Sequence, residues 1–194
     1  MPASQDVLAF LTERYSVGPK HLVAPGPDAD QLALAARAAL RAPDHRHLVP
    51  FRFAVVPDDA RPALARLFED AARRHGDDEA EAAAEGRRAW NGPVLVALVV
   101  RLSTHPEVPE HEQWLAAGGA LANFLNALHL MGFGAKMLSG RKASDPAVQA
   151  AFCGPGERLA GWIVAGTPTA RAKPKHEDDP AGVLHAWRPG RPPA

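Results

Sequence analysis

The sequence has only one cysteine, Cys153, so it can form neither a disulfide within the chain nor a zinc site built from several cysteines. Lys+Arg and Asp+Glu both number 22, which leaves no excess positive charge for binding nucleic acid or an anionic membrane. The longest strongly apolar run, residues 94–100, is far shorter than the ~20 residues of a transmembrane helix. No signal peptide is evident after Met1. These absences predict a soluble cytoplasmic protein.

Catalytic motifs are also scarce. The sequence contains no G-x-G-x-x-G fingerprint, no Walker loop, no nucleophile elbow and no Ser-His-Asp order. Cys153 has no neighbouring base in sequence, which is typical of an inert thiol. His45 and His47 lack a further ligand at suitable spacing, so we expect no metal site. A protein whose chemistry is carried by a bound cofactor needs few catalytic side chains of its own, which agrees with this sequence.

The spacing of apolar residues predicts one domain of helices packed on a small mixed sheet, an α+β fold. We expect helices from about Ser4, from near Asp28, around Leu64 and at residues 145–152, and strands at residues 51–56, 94–100, 135–138 and 159–165. Residues 77–90 are rich in Ala, Glu and Arg, so they should form an exposed helix with mobile ends, outside the core. Residues 169–180 are rich in proline and charge, which is typical of an extended arm.

The longest predicted helix spans about residues 109–131 and should be the spine of the domain. Gly118 and Gly119 lie inside it, and each costs about 1 kcal/mol relative to alanine unless the space is needed. Close approach of another helix is the preferred explanation.

Two short segments contain residues suited to binding an anion. Arg14-Tyr15-Ser16 follows the first helix, where the arginine fork and the serine hydroxyl can both donate to one phosphate. The alternative is that Arg14 simply complements the helix dipole.

The second segment is Arg41-Ala42-Pro43-Asp44-His45, in which a rigid turn holds a cation and an imidazole together. Asp44 can pair with Arg41 or orient His45. A structural turn with a surface ion pair remains the alternative.

Taken together, the motifs resemble one family. Arg14-x-Ser16, the Arg41 to His45 loop and the Pro50-Phe51-Arg52-Phe53 segment are similar to those of the compact subgroup of FMN-dependent nitroreductases. The second half agrees in its long helix ending at Gly132-Phe133-Gly134, a strand leading to Ser139-Gly140, and a final segment Gly161-Trp-Ile-Val-Ala-Gly-Thr-Pro168. The matching order and spacing cover roughly residues 5–170.

The resemblance implies a three-layer fold with a central mixed or antiparallel sheet, spanning residues 1–170, and an extended C-terminal arm over residues 171–194. It implies a homodimer that binds FMN between subunits and takes electrons from NADH or NADPH. Arg14, Tyr15 and Ser16 would hold FMN from one subunit, and Arg41 and His45 would reach it from the other. Residues 137–139 (Met137, Leu138 and Ser139) would contribute backbone contacts. Flavin N5 would carry the chemistry, so no catalytic side chain is expected.

The implied activity is hydride transfer to nitroaromatic, quinone or activated-alkene acceptors. Relatives often have Trp and Arg where this sequence has Met137 and Leu138, so one cation near the cofactor is missing. Lys136, Arg141 or Lys142 could replace it. This difference keeps open an FMN-binding module without turnover, and the Ala-rich stretch keeps open a cofactor-free interaction protein.

Overall fold

A computed structural model of the protein describes residues 4–169, 179–187 and 189–190. It contains six α-helices within these residues, namely α1 (Ser4–Glu13), α2 (Ala29–Ala39), α3 (Arg61–Arg74), α4 (Glu79–Arg87), α5 (Glu110–Leu130) and α6 (Pro146–Phe152). The strands are β1 (Leu22–Val23), β2 (Phe51–Val56), β3 (Val94–Arg101), β4 (Gly134–Leu138) and β5 (Glu157–Pro168). Much of the predicted C-terminal arm lies outside the described residues, so its conformation stays a prediction.

The strands form one sheet in which every named pair is antiparallel. β3 lies between β2 and β5, and β5 pairs on its other edge with β4 and, near its end, with β1. Residues 95–100 of β3 are all buried, as expected for a strand covered on both faces. A bulge interrupts the β3–β5 register where Leu98 pairs with Gly161 and Val99 pairs with Leu159.

Helices cover both faces of the sheet and create two hydrophobic clusters. On one face, α3 and α6 pack on side chains that include Phe68, Val148 and Trp162. On the other, α2 and α5 pack on a cluster that includes Phe51, Phe124 and Ile163. The predicted three-layer α+β fold is therefore confirmed, with α5 as its longest helix. Within the described residues, no helix is both long and apolar enough to cross a membrane.

The prediction for residues 77–90 was wrong in one respect. α4 begins with a reciprocal capping box between Asp78 and Glu81, and its Ala82 is fully buried. A Cβ on Gly86 would come within 2.4 Å of the Glu69 carboxylate on α3. The small side chains thus allow close helix packing, so α4 is part of the packed structure and not a loose exposed helix.

Candidate functional site

The Arg14-Tyr15-Ser16 segment lies beside the sheet. Ser16 forms a parallel bridge with Ala135 of β4, and the Val17 N–H donates to the Ala135 carbonyl at 3.1 Å. Tyr15 packs against the same cluster as Trp162. Arg14 is half-buried, and its guanidinium makes no hydrogen bond or ion pair with any other residue that the structure describes. A half-buried cation without a partner suits an anionic ligand such as a phosphate.

The predicted backbone contacts Met137, Leu138 and Ser139 lie at the far end of the same strand. With about 3.3 Å per residue, Ser139 stands about 13 Å along β4 from Ala135 and thus from the Ser16 bridge. Leu138 pairs with Trp162, one residue after the bulge. A Cβ on Gly161 would lie only 2.3 Å from the Leu138 carbonyl oxygen, so glycine allows β5 to approach this end of β4 closely. We call Arg14–Ser16 together with β4 and Ser139 the β4 region.

A cavity of about 300 Å³ opens at this end of β4. It lies on the face of the sheet that α3 covers, and its walls include Leu138 and Ser139. The remaining lining residues are Pro19, Phe68, Arg88, Asn91, Leu95, Lys142 and Trp162. A smaller polar cavity of about 210 Å³ adjoins it and shares Phe68, Arg88, Ser139 and Lys142. We call the larger of the two the Lys142 cavity.

The charges of the Lys142 cavity do not balance. Lys142 is 11% exposed and its Nζ lies 2.6 Å from Glu85 Oε2, while Arg88 Nη2 lies 3.1 Å from the other oxygen of the same carboxylate. Two cations therefore share one anion. Lys142 Nζ also lies 4.8 Å from the centroid of the Phe68 ring. The cavity keeps one uncompensated positive charge among these three groups, which favours a negatively charged ligand.

One residue of the cavity wall, Trp162, has a buried hydrogen-bond donor with no acceptor in the described part of the chain. Trp162 is 2% exposed, and its Nε1–H has no partner among the described residues. Its ring packs edge-on against Phe68 at 4.9 Å between centroids. Buried donors are nearly always paired with protein, water or a ligand. The Trp162 ring lines the cavity, and its N–H is buried within the wall.

The turn that carries Lys142 is anchored from both sides. Gly140 precedes it with φ 133°, a conformation that favours glycine, and Asp145 follows it as the N-cap of α6. Asp145 is 1% exposed and accepts two hydrogen bonds from Arg74, at 2.9 and 2.6 Å. The hydrogen bonds from Arg74 are the main reason why the pKa of Asp145 lies below its ordinary value. Lys142 is thus presented by a fixed turn, which suits a binding role.

Of the three cations proposed to replace the missing one, Lys142 is placed best. Arg141 instead donates to Asp77 at 2.7 and 2.8 Å, beside the smaller cavity. Lys136 lines neither cavity. Sequence analysis could name Lys142, and it included Trp162 only as part of a family segment. It had no signal for Arg88 or Glu85, because these come from segments that only the fold brings together.

Arg41 and His45 lie in a different place, in a loop over residues 41–49 that we call the His45 loop. His45 Nδ1 lies 2.8 Å from Glu112 Oε2 in the first turn of α5. Asp44 neither pairs with Arg41 nor orients His45. Its carboxylate accepts a hydrogen bond from the Val49 N–H at 2.7 Å. Both suggested roles for Asp44 were therefore wrong, and sequence gave no signal for Glu112, 67 positions away.

The His45 loop is held in an unusual backbone conformation. Arg46, His47 and Val49 all have positive φ, at 63°, 51° and 47°. A β-branched residue such as Val49 rarely adopts this region, and strained backbone clusters at functional sites. Gly119 of α5 lies under the loop, where a Cβ would meet Ala42 at 3.3 Å. The close neighbour of Gly119 is thus this loop and not another helix, whereas Gly118 meets nothing within 4 Å.

The structure keeps the two segments that were predicted to bind an anion apart. Phe10 of α1, near the β4 region, contacts His129 with 6.2 Å between ring centroids, whereas His45 contacts Glu112. Along α5 these contacts are separated by about 25 Å, at about 1.5 Å per residue. Arg14 and His45 of one chain therefore cannot hold the same small anion.

A third and larger cavity lies elsewhere. It measures about 590 Å³ and lies between α2 and the sheet, with walls that are mostly apolar and a single charged residue, Asp58. The described residues contain no group of His, Cys, Asp and Glu suited to a metal ion. Burial raises the pKa of the half-buried Cys153 thiol, which agrees with an inert thiol. The β4 region and the Lys142 cavity are therefore the candidate site.

Comparison with known proteins identifies the family. Residues 11–167 match the model of the nitroreductase family, which is most of the chain. The chain belongs to this family. The Escherichia coli (strain K12) protein YdjA, named as a candidate NAD(P)H nitroreductase, is 31% identical over 169 residues, which cover 86% of this chain and 91% of YdjA. The chain is therefore an oxidoreductase of nitroreductase type.

Solved nitroreductase-like structures have the same fold. The nitroreductase-like protein from Bacillus cereus superposes with a TM-score of 0.79 at 18% identity, covering 96% of this chain and 98% of that one. A candidate nitroreductase from Desulfovibrio desulfuricans, crystallised in complex with FMN, gives a TM-score of 0.69 at 20% identity, covering 96% and 100%. These similarities confirm the predicted nitroreductase-like architecture.

Proposed function

We propose that this nitroreductase-family protein binds FMN along β4 and passes a hydride from NADH or NADPH to nitroaromatic, quinone or activated-alkene acceptors. The observation that carries the proposal is Arg14, a half-buried arginine without a partner in the described chain, beside Ser16 and in line with the end of β4. A phosphate at Arg14 and Ser16 would leave the rest of an elongated cofactor to run towards Leu138 and Ser139. When bound, FMN would supply the hydride chemistry at N5.

The chain's own residues would bind and orient the cofactor. Arg14 and Ser16 would donate to the phosphate, and the backbone of residues 137–139 would contact the ring system. Because the His45–Glu112 contact lies about 25 Å along α5 from the Phe10–His129 contact, His45, and with it Arg41 of the same loop, would reach FMN from the partner subunit of a homodimer. This arrangement is supported by the separation of the two segments in one chain and by their similarity to the family's motifs.

The first test is removal of the Arg14 guanidinium. We expect Arg14→Ala to raise the FMN dissociation constant at least about tenfold, since hydrogen bonds to charged groups contribute about 1.5–3 kcal/mol. Flavin fluorescence quenching measures this constant. Arg37→Ala is the matched control, because Arg37 also lies at the end of a helix but outside the candidate site. Equal effects of the two substitutions would reduce Arg14 to a helix-dipole role.

Turnover is tested separately from binding. We expect rapid anaerobic bleaching of the flavin when the FMN-loaded protein is mixed with NADH or NADPH in a stopped-flow instrument. Bound FMN that stays oxidised with both donors would favour the binding module without turnover. Purified protein that remains colourless after FMN addition would contradict both functions.

A further inference from the structure

We propose that the Lys142 cavity is the acceptor site and that it selects anionic, single-ring aromatic acceptors, such as nitro-substituted aryl carboxylates. The inference rests on the proposed function, because it names the substrate class for the same site. It goes beyond that function because nothing in the family motifs of this sequence distinguishes charged from neutral acceptors.

Cavity size favours a single aromatic ring. Binding cavities for small molecules commonly measure about 300–1,000 Å³, and the Lys142 cavity, at about 300 Å³, lies at the lower end. A three-ring flavin with its ribityl phosphate needs more room. The cavity begins at Leu138 and Ser139, so its occupant would lie next to the proposed cofactor strand.

The walls supply aromatic contact for such a ring. Phe68 and Trp162 both line the cavity and pack edge-on against each other, and Leu95 and Leu138 add apolar surface. Phe68 is 2% exposed and Trp162 is 2% exposed, so these walls are fixed within the core. A planar aromatic ligand gains both apolar burial and ring contacts from them.

Charge favours an anion on that ring. Lys142 and Arg88 share the single carboxylate of Glu85, which leaves one positive charge for a ligand. Lys142 carries most of this preference, since its side chain is 11% exposed whereas that of Arg88 is 55% exposed. A carboxylate of the acceptor would bind here, next to the Lys142 ammonium group.

The reaction with a nitro compound balances with the donor already proposed. One nitro group, one NAD(P)H and one proton give a nitroso group, NAD(P)⁺ and water, with two electrons passing through the flavin. The aryl carboxylate is unchanged and serves only in binding. Lys142 would therefore be a specificity residue, and the proton balance does not depend on it.

The test compares 4-nitrobenzoate with neutral 4-nitrobenzamide on the FMN-loaded protein. We expect wild type to favour nitrobenzoate in kcat/KM, and Lys142→Met to lower kcat/KM for nitrobenzoate about tenfold or more, with less than about a twofold change for nitrobenzamide. Lys142→Arg should retain the preference. Arg66→Met is the matched control, because Arg66 is an exposed cation on α3 outside the cavity lining, and it should change neither substrate.

A substitution that is expected to improve nitrobenzoate binding distinguishes an effect on specificity from general damage to the structure. Glu85→Gln removes the shared counter-charge, so it should lower the KM for nitrobenzoate several-fold and leave that for nitrobenzamide unchanged. A substitution that merely loosens α4 would weaken both substrates. Binding of non-reducible benzoate, measured by titration calorimetry, should follow the same order of variants without any turnover.

Three results would overturn the inference while leaving the proposed function intact. They are equal effects of Lys142→Met on both nitro compounds, no benzoate binding by wild type, and a Lys142→Met effect confined to FMN affinity or flavin reduction potential, which would assign the cavity to the cofactor. The proposed function itself fails differently, because wild type would then take up no FMN or reduce neither compound.

Discussion

The β4 region and the His45 loop carry similar chemistry but are built in opposite ways. Ser16 is tied to the sheet by a backbone bridge and a hydrogen bond to the Ala135 carbonyl. The His45 loop instead depends on side chains, with Asp44 bonded to Val49 and Glu112 to His45. Its three non-glycine residues with positive φ indicate a strained loop, whereas Arg14–Ser16 has none.

The difference indicates how the proposed site would be divided. The rigid β4 region can fix a cofactor within one subunit, since its backbone is part of the sheet. The strained loop presents Arg41 and His45 on the surface, where both are exposed. Among the described residues, Glu112 is the one side chain that pairs with either of them. A pre-shaped exposed loop of this kind suits a contribution to a neighbouring subunit, and the following predictions test this division.

The largest effect is expected from disrupting subunit contact on α5. Gly118 is exposed in the middle of this helix, one turn from Leu115, which is 72% exposed. Because a Cβ on Gly118 meets nothing within 4 Å, Gly118→Glu should leave the monomer folded and slightly improve helix propensity. If α5 lies at the dimer interface, the substitution will give monomers that do not retain FMN. Size-exclusion chromatography and the flavin spectrum measure both properties.

Ala63→Glu is the control for this experiment, since Ala63 is exposed on α3, away from α5. It should leave both the oligomeric state and FMN content unchanged. A Gly118→Glu monomer that keeps stoichiometric FMN would contradict a site shared between subunits.

An intermediate effect is expected from mixing two defective variants. Arg14→Ala and Arg41→Ala should each weaken FMN binding, because each removes one side of the proposed shared site. In a mixed dimer, one of the two sites combines an intact Arg14 with an intact Arg41. Random mixing of the two subunits should therefore restore about a quarter of the FMN sites. Titration of co-refolded protein with FMN measures the restored fraction, and no restoration would place both arginines in the same subunit's site.

Much of the fold could be predicted from sequence because its signals are local. The strand Phe51–Val56 was predicted at its observed bounds, and the apolar run at 94–100 identified the central strand β3. α4 was misjudged because its alanines suggest exposure, while the close packing of Gly86 on Glu69 depends on α3. Composition does not reveal which partner a small residue will meet.

The candidate site was less predictable, since its members come from distant segments. The Arg14 and Arg41 motifs were visible in sequence, and their binding roles stay predictions. Lys142 could be named only as one of three cations, Trp162 appeared only within a family segment, and Glu85 gave no signal. Glu85 matters through its contact with Lys142, 57 positions away, and Trp162 through its place in the cavity wall. Neither relation can be read from pattern or spacing.

The smallest effect is expected from lowering the pH. It should weaken the ion pair that holds β2, which follows the His45 loop, but not the backbone bridge that holds the β4 region. β2, which follows the His45 loop, is held to β5 by Arg52, which donates to Glu157 at 2.8 and 2.5 Å across β3. This bond is the main cause that lowers the pKa of Glu157 from 4.5 to about 2. A lowered pKa means that the ion pair stabilises the fold above pH 4.5 and that this contribution is lost as the pH falls towards 2.

We therefore expect Glu157→Gln to lower the free energy of unfolding near neutral pH by about 1–2 kcal/mol and to flatten its decline below pH 4.5. Urea denaturation at several pH values measures this. Glu79→Gln is the control, because Glu79 forms a similar pair with Arg73 but is 79% exposed, so solvent should screen most of its contribution. The Ser16 bridge consists of backbone groups that do not titrate in this range. As the pH falls, β2 and the His45 loop should therefore lose their protection against amide hydrogen exchange before the β4 region does. Simultaneous loss of protection in both regions would contradict this difference between them.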